Sequence, residues 1–266
     1  AFRPVSRFFD RISRPEQLLT ALPNAMRILT DQVETGAVTI ALPQDVQAEA
    51  YDFPLELFEE RTWRIERKSP DNVAIEDLVQ LLRGASRPVV IAGGGVIYSA
   101  ASDELEEFAE SFGVPVTETF AGHGAMRNGS SLALGGIGTA GSAAATEVVK
   151  KADLVIAIGS RLTDVVTGSR TVFQNPDVKF AHINLSGFDA NKAGARPVIA
   201  DARQSLRALN IAAREAGIRP DPGYVEEVGA TKASWRRFLK DEVFQPTAGE
   251  AMSQAEAIGV LNEESQ

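Results

Sequence analysis

Between residues 70 and 215, short apolar runs alternate with amphipathic helical stretches, and this alternation limits the fold more than any other feature of the chain. Ile75, Leu78, Val79 and Leu82 follow the i, i+3, i+4, i+7 spacing of a helix with one buried face, closed by Gly84. The next run, Pro88 to Ala92, is apolar at every position, which suits a strand covered on both sides in a parallel sheet. Leu105, Phe108, Ala109 and Phe112 repeat the helical spacing, with Asp103 and Glu104 at the end where the helix dipole favours acids. Residues 114–117 predict a strand, 140–151 a helix, and 154–158, 180–185 and 197–200 further strands; a helix over about 202–213 closes the series. Such alternation specifies an α/β domain over 70–215, a doubly wound, Rossmann-like, mostly parallel sheet with helices on both faces.

The flanks carry less pattern. Pro15 and Pro23 each suit a first helical turn, where a missing N–H costs nothing, and Leu18, Leu22, Met26 and Leu29 lie along one side. The apolar run 37–42 predicts a strand ended by Pro43. Two helical segments and one strand are too little for a core, so residues 1–50 read as the tail of another domain. Residues 51–69 mix aromatics, charges and proline without a period; they read as an ordered linker whose aromatics anchor it to a domain surface. Val225, Val228, Trp235, Phe238 and Leu239 mark an amphipathic helix within a linking region, 216–250. Ser253 and Glu256 have capping-box spacing, and Ile258 and Leu261 follow on helical spacing, so 251–266 reads as the opening of a further domain. The chain begins at Ala1 without Met and stops at Gln266 within helical sequence, so the expectation is a piece of a longer protein. Arg3, Arg7, Arg11 and Arg14 lead straight into ordered-looking sequence, which argues against a transit peptide.

Composition narrows the partners. A formal net charge of −9 disfavours nonspecific binding to nucleic acid or anionic membrane surfaces. No run approaches the roughly 18 apolar residues of a membrane span. The absence of cysteine removes disulfides, thiolate metal sites and cysteine nucleophiles, and fits a cytoplasmic location. A small molecule is the expected partner.

In a doubly wound sheet, ligands sit beyond the carboxyl ends of the strands. Gly93, Gly94 and Gly95 occupy such a position, where their backbone could approach a phosphate closely; a tight strand-to-helix turn accounts for three glycines as well. The spaced dinucleotide fingerprint and the Walker lysine are both missing. Gly135, Gly136, Gly138 and Gly141 precede the helix near 140–151 and admit the same two readings, anion cradle or close packing. Arg161 could grip a carboxylate or phosphate and Asp164 a hydroxyl, or the two could pair with each other. His123 lies in a glycine-rich loop and reads as exposed and idle, while His182 lies within a strand and reads as a satisfied structural residue. No histidine–carboxylate cluster has metal-ligand spacing, and no nucleophile elbow is present, so no residue is assigned to catalysis or to metal.

The order of these pieces resembles the thiamine-diphosphate enzymes, over essentially the whole chain. The strand ending in Ala41-Leu-Pro-Gln-Asp-Val46 is similar to the last strand of their pyrimidine-binding domain. Pro88 to Gly95, Gly135 to Gly141 and Asp153 to Arg161 resemble the central domain of the acetolactate-synthase-like group, and Met252 to Leu261 the opening of the pyrophosphate-binding domain. Within that group, Pro4 to Ile12, Arg14 to Leu18 and Glu34 to Pro54 resemble the trihydroxycyclohexanedione hydrolases of inositol catabolism. The resemblance implies thiamine diphosphate with Mg2+, a soluble homo-oligomer (dimer or tetramer), and cleavage of a carbon–carbon bond in a cyclic 1,2-diketone to give a deoxyglucuronate. It also implies that the glutamate activating the cofactor and the Gly-Asp-Gly…Asn motif holding metal and diphosphate lie outside residues 1–266, leaving this piece inert. Arg161 falls where flavin-binding relatives carry an arginine, and one matching position does not establish FAD. The readings set against this one are an acetolactate-synthase-type carboligase and a stand-alone NAD- or FAD-binding module.

Overall fold

The computed structural model describes residues 1–246 and 251–264, which divide into two compact units, Ala1–Arg67 and Lys68–Gln266. The sequence boundary expected at 250/251 falls on residues 247–250, and 265–266 close the last segment; both lie outside the described residues.

The first unit is a βαβ motif of β1 (Phe8–Arg11), α1 (Leu18–Thr30) and β2 (Val38–Ala41), with the strands parallel and Phe8 opposite Val38. Periodicity does not predict β1, because two aromatics followed by two charges show no alternation; pairing with β2 makes it a strand. Pro15 opens a 3-10 turn, Pro15–Gln17, as expected, but Pro23 opens nothing and sits inside α1. The predicted stripe on this helix is corrected as well. Ala21 and Ala25 are its buried residues, whereas Leu22 and Leu29 are exposed. The core here is small: Ile12, Ala21 and Val46, with Leu18 and Ile40 packed on it. In the segment 51–58, Tyr51, Phe53 and Phe58 meet edge to face among themselves. Leu55 and Phe58 remain exposed.

The second unit runs α2 (Asn72–Arg83), β3 (Pro88–Ala92), α3 (Gly94–Tyr98), α4 (Ser102–Phe112), β4 (Val116–Glu118), β5 (Ala133–Gly136), α5 (Ala143–Lys151) and β6 (Leu154–Ile158). It continues through α6 (Asp164–Thr167), β7 (Lys179–Asn184), α7 (Gly187–Ala190), β8 (Arg196–Ile199), α8 (Ala202–Glu215), α9 (Pro222–Phe238) and α10 (Gln254–Glu264). Asp71, Asp201 and Asp221 accept backbone N–H groups at the starts of α2, α8 and α9, satisfying donors that a helix start leaves free. Ser253 does the same at α10, its hydroxyl oxygen accepting the Glu256 N–H at 3.1 Å.

All six strands pair in parallel, in the order β5-β4-β3-β6-β7-β8, so the winding reverses between β3 and β6. Every residue of β3 and β6 is buried, which requires cover on both faces. On one side α8 packs against α2 and α4, with the buried Glu104 carboxylate accepting from Arg203 Nε at 2.8 Å and Arg207 Nε at 2.9 Å; elsewhere α5 packs on α9. The doubly wound α/β fold is thus as predicted. One strand was hidden from the pattern: β5, where Gly135 and Gly136, expected in a loop, form part of an edge strand. Helix α9, expected as a connection, contributes Tyr224 and Val228 to the main core, and the Tyr224 hydroxyl donates to the Pro88 carbonyl at 3.1 Å.

Candidate functional site

Because the winding reverses between β3 and β6, the loops leaving their carboxyl ends define the crevice where such sheets bind ligands. In this chain glycine brings those two loops into backbone contact. The Gly93 N–H donates to the Ile158 carbonyl at 2.8 Å and the Gly95 N–H to the Gly159 carbonyl at 3.0 Å. A Cβ on Gly93 would lie 2.3 Å from the Gly159 oxygen, and one on Gly95 2.5 Å from the Gly159 Cα. Gly94 is more loosely placed, with the Ala121 oxygen 3.2 Å from where its Cβ would be. Two of the three amides are therefore committed to protein carbonyls, and the run serves close packing of two turns. The same holds for Gly138, whose φ is +99° and whose Cβ would meet the Val165 oxygen at 2.2 Å; the Thr139 N–H donates to that oxygen at 3.0 Å.

Arg161 and Asp164 stand on the loop after β6, both exposed, Asp164 as the first residue of α6. Among the described residues they form no ion pair with each other, so the salt-bridge alternative is not what the fold adopts. The Arg161 carbonyl accepts from Lys192 Nζ at 2.8 Å, and that ammonium also meets Asp189 at 2.6 Å. The backbone is strained at this edge, with Leu162 at φ 44° and Ala193 at φ 59°.

A buried polar pair underlies the loop. The Ser160 carbonyl accepts from His182 Nε2 and from Asn184 Nδ2, each at 2.8 Å. Since a carbonyl only accepts, Nε2 carries the proton and Nδ1 is bare; Nδ1 is buried without a partner. Burial pushes the His182 imidazole below its ordinary pKa, against the raising effect of the Ser160 bond. His182 is structural, as expected, but only half satisfied.

His123 is corrected. It is exposed, yet its Nδ1 lies 3.4 Å from the Glu118 carboxylate. Glu118 is buried at the end of β4 and accepts the Met126 N–H at 2.9 Å and the Gly124 N–H at 3.3 Å, so it staples the following loop. Sequence reasoning missed Glu118, Asn184, Asp189 and Lys192. The available signal was position: Glu118 and Asn184 each end a strand at the carboxyl edge.

Chemically, the loop after β6 presents the exposed Arg161 guanidinium and the exposed Asp164 carboxylate. Among the described residues no group of three or more His, Cys, Asp or Glu side chains could hold a metal ion, and no helix is long and apolar enough to cross a membrane. Two shallow clefts, of about 210 Å³ beside Lys179 and Arg196 and about 500 Å³ beside Lys68 and Pro197, involve none of these site residues.

Comparison with known proteins gives two findings. Residues 75–209, just over half of the chain, match the family described as thiamine pyrophosphate enzyme, central domain. The chain is 49% identical over 239 residues to the 3D-(3,5/4)-trihydroxycyclohexane-1,2-dione hydrolase of Bacillus cereus (strain AH820), which covers 90% of this chain and 37% of that protein. It is 48% identical over the same length to proteins of the same name from Clostridium tetani (strain Massachusetts / E88) and Bacillus thuringiensis (strain Al Hakam). The chain therefore spans little more than a third of the curated relatives it matches.

Proposed function

Since this chain belongs to the thiamine pyrophosphate enzymes and carries their central domain, we propose that it is the middle portion of a cytoplasmic, homo-oligomeric hydrolase that opens trihydroxycyclohexane-1,2-dione in inositol catabolism. The observation that carries this reading is 49% identity across 90% of the chain to proteins bearing that name. In this reading residues 1–50 belong to a pyrimidine-binding domain, 51–69 link it to the central domain over 70–215, 216–250 lead onward, and 251–266 open a pyrophosphate-binding domain. The break between compact units at Arg67 and Lys68 and the two-strand, three-residue core of the first unit support that division.

Thiamine diphosphate supplies the carbon–carbon cleavage in such an enzyme, with Mg2+ as its anchor. The residues of this chain do not fit that group: the described residues provide no cluster of metal-ligating side chains, and the glycine turns at the carboxyl edge are closed on protein carbonyls. No step of the reaction is therefore assigned to them. Their role is to hold the sheet and its carboxyl-edge loops in one arrangement.

The test is product analysis of the full-length enzyme. The cyclic diketone should yield a ring-opened acid, and pyruvate should yield no acetolactate; the reverse outcome would make it a carboligase. Titration calorimetry of this chain with thiamine diphosphate and Mg2+ should show no binding, and a tight isotherm would sink the assignment of the cofactor site elsewhere. One observation favours a second reading, nucleotide binding by the central domain: the winding reversal with Arg161 and Asp164 exposed and unpaired with each other beside it. A thermal-shift series with NAD, FAD and ADP tests it.

A further inference from the structure

Asn128 and Gly129 form an exposed turn on the connection from β4 to β5, where the Ser130 N–H donates to the Arg127 carbonyl at 3.3 Å. No other asparagine of the 266 residues precedes a glycine. Two cations from α9 grip the main chain of this turn. Lys232 Nζ donates to the Asn128 carbonyl at 2.8 Å and to the Ser130 carbonyl at 2.5 Å, and Arg236 Nη2 donates to the same Asn128 oxygen at 2.8 Å. Lys232 is 8% exposed, and among the described residues it meets no carboxylate; its acceptors are neutral carbonyls. A buried ammonium is better matched by an anion than by carbonyl dipoles, so the fold directs an unmatched charge at one main-chain oxygen.

The remaining groups of the turn are free to react. Among the described residues nothing bonds to the Asn128 side-chain amide, and the Gly129 N–H has no acceptor. A Cβ on Gly129 would meet nothing within 4 Å. Having no side chain, glycine shields its own nitrogen least and turns most freely toward the residue before it. In water the Gly129 nitrogen, losing its proton, bonds to the Asn128 side-chain carbonyl carbon, and the amide nitrogen leaves as ammonia. The cyclic imide so formed is then opened by water at either carbonyl. Opening at the side-chain carbon leaves aspartate on an unchanged backbone. Opening at the main-chain carbon leaves isoaspartate, in which the backbone runs through the former side chain and the former main-chain carbonyl has become a carboxylate.

We propose that Asn128 is a deamidation site biased to isoaspartate, because Lys232 and Arg236 hold the main-chain oxygen that this product turns into a carboxylate. Both cations polarise that carbonyl for attack by water, and both pair with the anion its opening releases. The fastening of the loop to α9 thereby changes from charge–dipole bonds to ion pairs. Water is the only co-reactant, and the substrate proposed above plays no part.

The test ages the polypeptide produced from the complete gene near neutral pH at physiological temperature, native and in urea. Peptides spanning position 128 are read by mass spectrometry with electron-transfer fragmentation, which separates the two isomers. The native enzyme should lose the Asn128 amide before any other asparagine of this chain, with an isoaspartate-to-aspartate ratio at least about threefold above that in urea. Arg236→Gln, an exposed position, should move the native ratio toward the urea value. Gly129→Ala, whose added methyl meets nothing, should slow the loss by roughly tenfold. An amide kept in the native enzyme but lost in urea overturns the inference. Equal ratios in the two states also overturn it, and that comparison needs no variant to fold. A native ratio unmoved by Arg236→Gln and by Lys232→Met alike removes the role of the cations and with it the proposal.

Discussion

Gly95 and Gly94 are neighbours with different duties. A methyl group on Gly95 would stand 2.5 Å from the Gly159 Cα, against backbone that cannot move without parting β3 from β6, whereas one on Gly94 meets its nearest atom at 3.2 Å. Gly95→Ala should therefore lower stability by about 2–3 kcal/mol and Gly94→Ala by distinctly less, measured by denaturant unfolding. Equal effects would mean that the two turns are not in contact. His182 makes a prediction of opposite origin, since its burial disfavours the charged ring. As pH falls below the ordinary value of 6.5, the unfolded chain takes up a proton that the fold resists, so stability should decline. His182→Gln keeps a donor for Ser160 and should flatten stability between pH 7 and pH 5 relative to the parent.

At the scale of elements, α9 shows how a helix outside the strand alternation becomes part of the domain. Its Lys232 is buried and donates to the Asn128 carbonyl at 2.8 Å and the Ser130 carbonyl at 2.5 Å, fastening the loop that enters β5. Arg236 adds a bond to Asn128 at 2.8 Å. Desolvation, with Arg236 adding repulsion, pushes the Lys232 ammonium down to about 8 from 10.5. Between those values the unfolded chain holds a proton that the folded one releases, so stability should rise with pH across that interval. Lys232→Met should abolish that rise in urea titrations at pH 8 and pH 10. The helix itself was legible, because Val225, Val228, Trp235, Phe238 and Leu239 recur on helical spacing; its membership of the core was not, since the Tyr224 hydroxyl reaches the Pro88 carbonyl of β3, far away in sequence. Strand β5 failed for the converse reason. Glycine has no side chain to alternate, so only pairing with β4 identifies it.

For the whole molecule, the two units differ sharply in what holds them. The second buries a continuous core from Ile75 to Val228, whereas the core cluster of the first is Ile12, Ala21 and Val46 with Leu18 and Ile40 packed on it. Amides of β1 and β2 should exchange with deuterium well before those of β3 and β6, and equal protection would contradict a weak first unit. The sequence by itself determined the periodic part of the protein: the α/β alternation, the capped helix starts and the fully apolar central strands, because these depend on neighbours a few residues away. It also placed Arg161 and Asp164 on the loop after β6, since a position after a strand end is a local property. The tertiary structure alone decided that Gly93 and Gly95 close on Gly159 and that Glu118 holds the loop carrying His123. Those depend on strand order and on contacts between distant segments, and no local pattern encodes which loop a strand will bring alongside another.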